Sequence, residues 1–248
     1  MNSVLSTLRI FEEVAARQPI GVSELSRATR IPKSSVQRCL VTLQQAGWLR
    51  IVDSGRGARW GVTMKALSVG LRGAGEQDLR DLAGPVIKRL AAETDETVHF
   101  ALRDGDDVII IAREDSTHAV RVFVETGTRL PLQATSSGVA ILARLEPTET
   151  EEILKHDVNE FTEPLWSSEE LREEIVRTAE RGYAVNMSTW FRPNVASIGA
   201  AVTGFAGRPI AALVLSMPEM RYDPSQEKAL AQLTTAAADE ISRLVSAI

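Results

Sequence analysis

Residues 20–47, IGVSELSRATRIPKSSVQRCLVTLQQAG, leave this chain little conformational choice. Val22, Leu25 and Ala28 recur at three-residue spacing, Arg30-Ile31-Pro32 interrupts, and Val36, Leu40 and Leu43 resume on one helical face. Two helices separated by three residues must meet at a sharp angle, so the stretch predicts a helix-turn-helix. Pro32 suits the first position of the second helix, where its missing N–H removes no bond. The exposed side of that helix then carries Lys33, Ser34, Ser35, Gln37 and Arg38. These are groups suited to phosphate oxygens and base edges.

The charge distribution agrees. Residues 1–63 hold nine basic and four acidic side chains, a net of +5; the remaining 19 basic and 29 acidic residues give −10, together the −5 of the chain. A basic amino-terminal piece is joined to an acidic body, as expected where only the first part approaches phosphates. The length of 248 residues, 44% hydrophobic and 25% charged, suits two folded domains and excludes disordered and fibrous classes. No apolar run reaches membrane-spanning length, and Met1-Asn2-Ser3-Val4 lacks the order of a secretory signal, so a cytoplasmic protein without membrane partners is expected. The single cysteine, Cys39, reads as a small buried thiol beside Leu40. His99, His118 and His156 have no second histidine or cysteine at ligand spacing, so neither metal nor other cofactor is expected. An enzyme is disfavoured as well: there is no Gly-x-Ser-x-Gly elbow, and Gly73-x-Gly75 lacks a third glycine and a preceding strand.

Taken in order, Val4, Leu8, Phe11 and Ala15 predict an amphipathic helix over 3–17 with Ser3 as cap. After Gly47, residues 48–52 and 58–62 read as two strands around a Gly-rich turn carrying Arg56 and Arg59, the wing of a winged helix-turn-helix. Such a wing rests on backbone phosphates or in a minor groove. Met64, Leu67 and Leu71 continue helically until Gly73-Ala74-Gly75, where the domain boundary is placed. Residues 78–94 predict a helix with Leu79, Leu82, Val86 and Leu90 on one face and with a kink or a second start at Pro85. Strands are expected over 97–103, 108–113 and 120–125, with Asp104-Gly105-Asp106 turning between the first two. Thr135 to Gly138 open a helix reaching Leu145, and Ser167 with Glu170 form a capping box for a helix ending near Arg181-Gly182. Strands over 183–187, 197–203 and 210–216 and a helix over 224–245 complete an α+β body of antiparallel sheet and helices.

With these residues assembled, the chain resembles the IclR family of bacterial transcription regulators along essentially its whole length. Three anchors carry the likeness: residues 28–40 (ATRIPKSSVQRCL), 127–138 (GTRLPLQATSSG), and the set 181–185, 196–202 and 211–213. The resemblance implies a winged helix-turn-helix over 1–63 that binds double-stranded operator DNA, a linker helix over 64–77, and a GAF-like effector-binding domain over 78–248. It also implies a homodimer, formed chiefly through the DNA-binding half, or a dimer of dimers. Lys33, Ser34, Ser35, Gln37, Arg38, Arg56 and Arg59 are the candidate DNA contacts. Matching the family's pocket, Gln133, Thr135, Ser136, Ser137, Gly138, Asn186, Trp190, Ser197 and Ser216 are the candidate effector contacts.

The chain departs from the family's pattern where Gln133 replaces histidine, Val139 lysine and Ser197 cysteine, and where neutral residues from Asn186 replace acids. The expected effector is therefore an aromatic acid or its neutral derivative, held by hydroxyl and amide hydrogen bonds rather than an ion pair, against an aromatic wall at Trp190 or Phe191. The Thr135–Gly138 turn both caps its helix and offers N–H groups to an acceptor. The function so implied is a ligand-responsive regulator, by family habit a repressor, of a catabolic operon. The alternatives are a ligand- or partner-binding protein that uses its winged helix for protein contacts and, further off, an enzyme on the carboxy-terminal domain.

Overall fold

The computed structural model describes residues 3–53, 57–66, 68–69, 79–156, 167–187 and 193–247. The chain divides into two compact units, 1–76 and 77–248.

In the first unit, helices α1 (Ser3–Arg17), α2 (Val22–Thr29) and α3 (Lys33–Gln45) enclose a core of Ile10, Val14, Leu25, Ile31, Val36, Leu40 and Leu43. Leu49 and Trp60, from strands β2 (Leu49–Asp53) and β3 (Arg59–Val62), close it. The α2–α3 turn is made by Arg30 in the left-handed conformation (φ 58°) and by Ser26 Oγ, which donates to the Ile31 carbonyl at 2.7 Å. Pro32 is one position earlier than expected: it caps α3, and its carbonyl accepts the Ser35 and Val36 N–H groups at 2.9 and 3.0 Å. A short strand not anticipated, β1 (Ile20–Gly21), pairs with β3 to give the order β1-β3-β2. Cys39 is half-buried, its sulfur accepting from Thr7 Oγ1 at 3.3 Å.

The buried face of α1 is a correction. Ser6, Ile10 and Val14 point inward, whereas Val4, Leu5 and Leu8 are 62%, 63% and 51% exposed and Ala15 is exposed too. Both stripes satisfy helical spacing; the groove offered by α2 and α3 selects one.

In the second unit a six-stranded antiparallel sheet runs β6-β5-β4-β9-β8-β7. Its strands are β4 (Thr97–Asp104), β5 (Asp107–Glu114), β6 (Arg129–Pro131), β7 (Ala184–Met187), β8 (Val195–Thr203) and β9 (Pro209–Pro218). Helices α4 (Leu79–Thr94) and α8 (Glu227–Ser246) cover one face, packing Val86, Leu90, Ala238 and Ile241 on Phe100, Val202, Leu213 and Leu215. On the other face α5 (Ser136–Leu142), α6 (Pro147–Leu154) and α7 (Ser168–Arg181) cover Ala101, Val108, Ile110 and Ala212. The result is three layers around two cores.

Ser167 and Glu170 form the expected capping box, and Gly182 ends α7 at φ 88°. Pro85 lies within a continuous α4, where Leu79 packs on the core beside Ala83, Val86, Ile87 and Leu90. The helix opened by Thr135 stops at Leu142, short of Leu145, and α6 was not foreseen, since its eight residues hold only two large apolar ones, Ile153 and Leu154. Residues 120–125 are not a strand: Val122 and Val124 are buried in alternation, but β6 takes the sheet edge instead. The segment is a strap held by side chains, Arg113 donating to the Val124 carbonyl at 2.9 Å and Arg221 to the Val120 carbonyl at 2.7 Å. Beyond Val69 the expected linker, with Leu71 and Gly73-Ala74-Gly75, lies outside the described residues, as does Leu67; Lys65, Ala66, Ser68 and Val69 are helical.

Candidate functional site

In the first unit, burial of Val36, Leu40 and Leu43 turns the opposite side of α3 to solvent. Lys33, Ser34, Gln37 and Arg38 are exposed there, and Ser35 is half-buried beside the turn. Ser34, Gln37, Arg38 and the exposed Val41 follow i, i+3, i+4, i+7 and so share one outward stripe. Among the described residues neither Lys33 nor Arg38 enters an ion pair, which leaves both cations available to an anionic partner.

Arg59 differs. Its Nη2 lies 3.1 Å from Glu24 Oε2 and its Nε donates to the Pro19 carbonyl at 3.1 Å, bracing β3 against the start of α2. The Gly21 N–H, and after it Arg59, hold the Glu24 carboxyl below its usual range. The structure thus gives Arg59 a role within the domain, the structural alternative that its flanking strand residues had left open beside a DNA contact. An Arg59→Ala variant is expected to leave the slope of log K against log salt for DNA binding unchanged, whereas loss of a phosphate contact would lower it by about 0.9; fluorescence anisotropy at several salt concentrations decides. Arg56 lies outside the described residues.

In the second unit a cavity of about 70 Å³ sits between the sheet, the start of α5 and the 120–125 strap. Cross-strand register builds its floor. Asn186 on β7 faces Ser197 on β8, Ser197 faces Ser216 on β9, and Ser216 faces Thr97 on β4. All four are buried, so a polar rib crosses four strands. Thr135, Ser136 and Ser137 descend on it from the α5 cap: Thr135 Oγ1 accepts from the Gly138 N–H at 3.0 Å, and Ser136 Oγ lies 2.9 Å from Ser197 Oγ. Aliphatic walls come from Ile110, Val122, Val124, Leu130, Val195 and Val214.

Two glycines set this geometry. A Cβ on Gly138 would stand 1.9 Å from the Leu132 carbonyl oxygen, and one on Gly199 would stand 2.5 Å from that of Ser136. The backbones touch, which seats the hydroxyl turn directly on β8.

A model of the IclR helix-turn-helix domain matches residues 3–52, and a model of the carboxy-terminal region of the bacterial transcriptional regulator IclR matches 72–243. The chain belongs to the IclR family of bacterial transcriptional regulators. Relatives include the regulator KdgR of Escherichia coli, 28% identical over 240 residues spanning 96% of this chain and 90% of that one. The transcriptional repressor IclR of the same species is 27% identical over 247 residues, spanning 98% and 89%. The fold recurs in an IclR homologue of Microbacterium hydrocarbonoxydans solved with 4-hydroxybenzoate (TM-score 0.81, 22% identity, all of both chains). It recurs also in Thermotoga maritima IclR (TM-score 0.75, 22% identity, 99% of each chain). This chain is accordingly a transcriptional regulator with a ligand-binding carboxy-terminal domain.

Within this IclR-family chain the structure gathers Thr135, Ser136, Ser137, Asn186, Ser197 and Ser216 around the cavity. Gln133 departs from the expected set, because its Nε2 donates to the Ile153 and His156 carbonyls, both at 2.9 Å, and ties the loop to the end of α6. Gly138 serves the close backbone approach rather than the lining. Trp190 and Phe191, the expected aromatic wall, lie outside the described residues; the described walls are aliphatic. His99 was missed as a pocket residue. It is 2% exposed, lines the cavity, and its Nδ1 lies 3.3 Å from Ser216 Oγ. The signal available was its place in β4, on the same face as Thr97.

Proposed function

We propose that this chain is a sequence-specific repressor that releases or rearranges on its operator when a compact organic acid, or the neutral derivative of one, fills the cavity of the second unit. The cavity's lining carries this reading. Its hydroxyls, carboxamide and imidazole meet aliphatic walls, and among the described residues no Lys or Arg lines it. Two family members support the finer points: the IclR of E. coli is a named repressor, and the M. hydrocarbonoxydans homologue holds an aromatic acid.

DNA is read by α3, with Ser34, Gln37 and Arg38 towards base edges and Lys33, beside them, towards phosphates. A symmetric dimer places two such helices about one helical turn of DNA, roughly 34 Å, apart. The exposed Val4, Leu5 and Leu8 of α1 offer an apolar strip for that dimer. Ligand shifts the balance between DNA-competent and incompetent arrangements only if it binds them unequally.

Gel shift with the DNA upstream of the chain's own gene, with and without a panel of aromatic and aliphatic acids and their amides, tests the whole reading. A retarded band relieved by one compact ligand is expected. Failure to retard any promoter fragment at low salt would end it.

A further inference from the structure

Among the described residues lining the cavity, every side chain is neutral at all accessible pH values except the imidazole of His99. A carboxylate set against these described neutral groups loses its hydration and gains no opposite charge from them. Hydroxyls such as Ser197 and Ser216 donate hydrogen bonds but cannot neutralise it. The imidazole can, by taking a proton from solvent.

We infer that His99 is the residue by which the pocket distinguishes an acid from its neutral derivative: a small carboxylic acid binds together with one proton, which resides on the His99 ring, while the corresponding amide binds without it. The inference rests on the effector-pocket reading above. No covalent bond changes; the carboxylate and one solvent proton enter, and the pocket stays neutral overall.

The surroundings of His99 allow this. From β9 it faces Ser216 and Val214, from α5 the hydroxyl turn, and from the strap Val122 and Val124. Its partner across β5 is Arg113, whose charge is met by Asp115 at 2.6 Å and whose guanidinium stacks 3.9 Å from the Phe123 ring. At the start of β4, Glu96 is held by Arg221 through two bonds of 2.7 Å. The described charges next to the ring, Arg113 and Glu96, are thus already matched, so an added ligand carboxylate finds its counter-charge in His99. Ser216 fixes the ring through Nδ1.

The direction follows from linkage. Binding that takes up a proton tightens as pH falls and weakens about tenfold per unit of pH wherever the unliganded ring is neutral. The test is calorimetric titration of the full chain with 4-hydroxybenzoate, benzoate and propanoate and with their three amides, between pH 6 and 8.5, in two buffers of different ionisation enthalpy. For acids the expected result is uptake of about one proton above pH 7 and a tenfold loss of affinity per unit. For amides, no uptake and a flat profile are expected. A His99→Gln variant should lose about tenfold to a hundredfold in acid affinity at pH 6 and lose the slope, with amide binding within about threefold. A Ser216→Ala variant, which keeps the imidazole, should retain proton uptake.

Acid binding without proton uptake, or uptake that survives His99→Gln, overturns the assignment of the proton to His99. Amides that bind where acids do not also overturn it and leave the pocket standing. If none of the six compounds binds, the pocket reading falls with it. The buffer comparison on the unaltered chain decides even if the His99 variant does not fold.

Discussion

A Lys33→Ala, Arg38→Ala double variant is expected to lose about a hundredfold or more in affinity for operator DNA, with the slope of log K against log salt falling by about 0.9 for the lost phosphate contact. Both side chains leave the exposed stripe of α3, while Val36, Leu40 and Leu43, which fix the helix, are untouched. Alanine is a good helix former, so the fold should persist. Arg38 lies in line with Ser34 and Gln37, where a base-edge contact contributes about 1–3 kcal/mol, and Lys33 stands at the first turn, where a phosphate contact is lost uniformly across sequences. Fluorescence anisotropy with the upstream fragment and a scrambled one separates the two parts. Unchanged affinity and slope in a folded double variant would mean that α3 is not the surface that meets DNA.

Gly138→Ala should produce the largest stability change in the second unit, about 3 kcal/mol or more, together with loss of ligand binding. The added Cβ would meet Leu132 backbone atoms at 1.9, 2.3 and 2.4 Å, so α5 must move away from the preceding turn. That movement drags Thr135, Ser136 and Ser137 from the cavity and breaks the contact of Ser136 with Gly199. Gly105→Ala is the control: its φ of 66° is strained for alanine, but nothing lies within 4 Å, so only a conformational cost of about 1 kcal/mol applies. Urea unfolding of the two variants measures the contrast. A Gly138→Ala protein as stable as the Gly105→Ala one would show that the contact of α5 with the Leu132 turn yields easily.

Much of this architecture is written locally. Helical spacing in 20–47, the Ser167–Glu170 capping box, Gly182 at the end of α7 and the β-branched runs of β4 and β5 each depend on residues a few positions apart. The uneven charge of the two parts is also a property of sequence alone. These signals are short-ranged because helix ladders, caps and tight turns are closed within about four residues. The hydroxyls at 135–137 and the serines of β8 and β9 were legible as site candidates through the family likeness.

What the tertiary structure alone decided involves partners far apart in the chain. Helical spacing on α1 admits two apolar stripes, and only the groove between α2 and α3 selects Ile10 and Val14 over Val4 and Leu8. Residues 120–125 alternate as a strand does, yet a strand needs a neighbour, and β6 occupies the edge they would have used. Arg59 is claimed by Glu24, 35 positions away, and Gln133 by carbonyls 20 and 23 positions on. His99 enters the cavity because β4 lies against β9, which brings Ser216 from 117 positions away to its ring. Sequence by itself therefore determined most of the helices and strands, though not β1, α6 or the 120–125 strap, and which part carries the basic face. Packing decided which side chains are spent on holding the fold and which are left to meet a ligand, because hydrogen bonds and burial depend on distance in space and not along the chain.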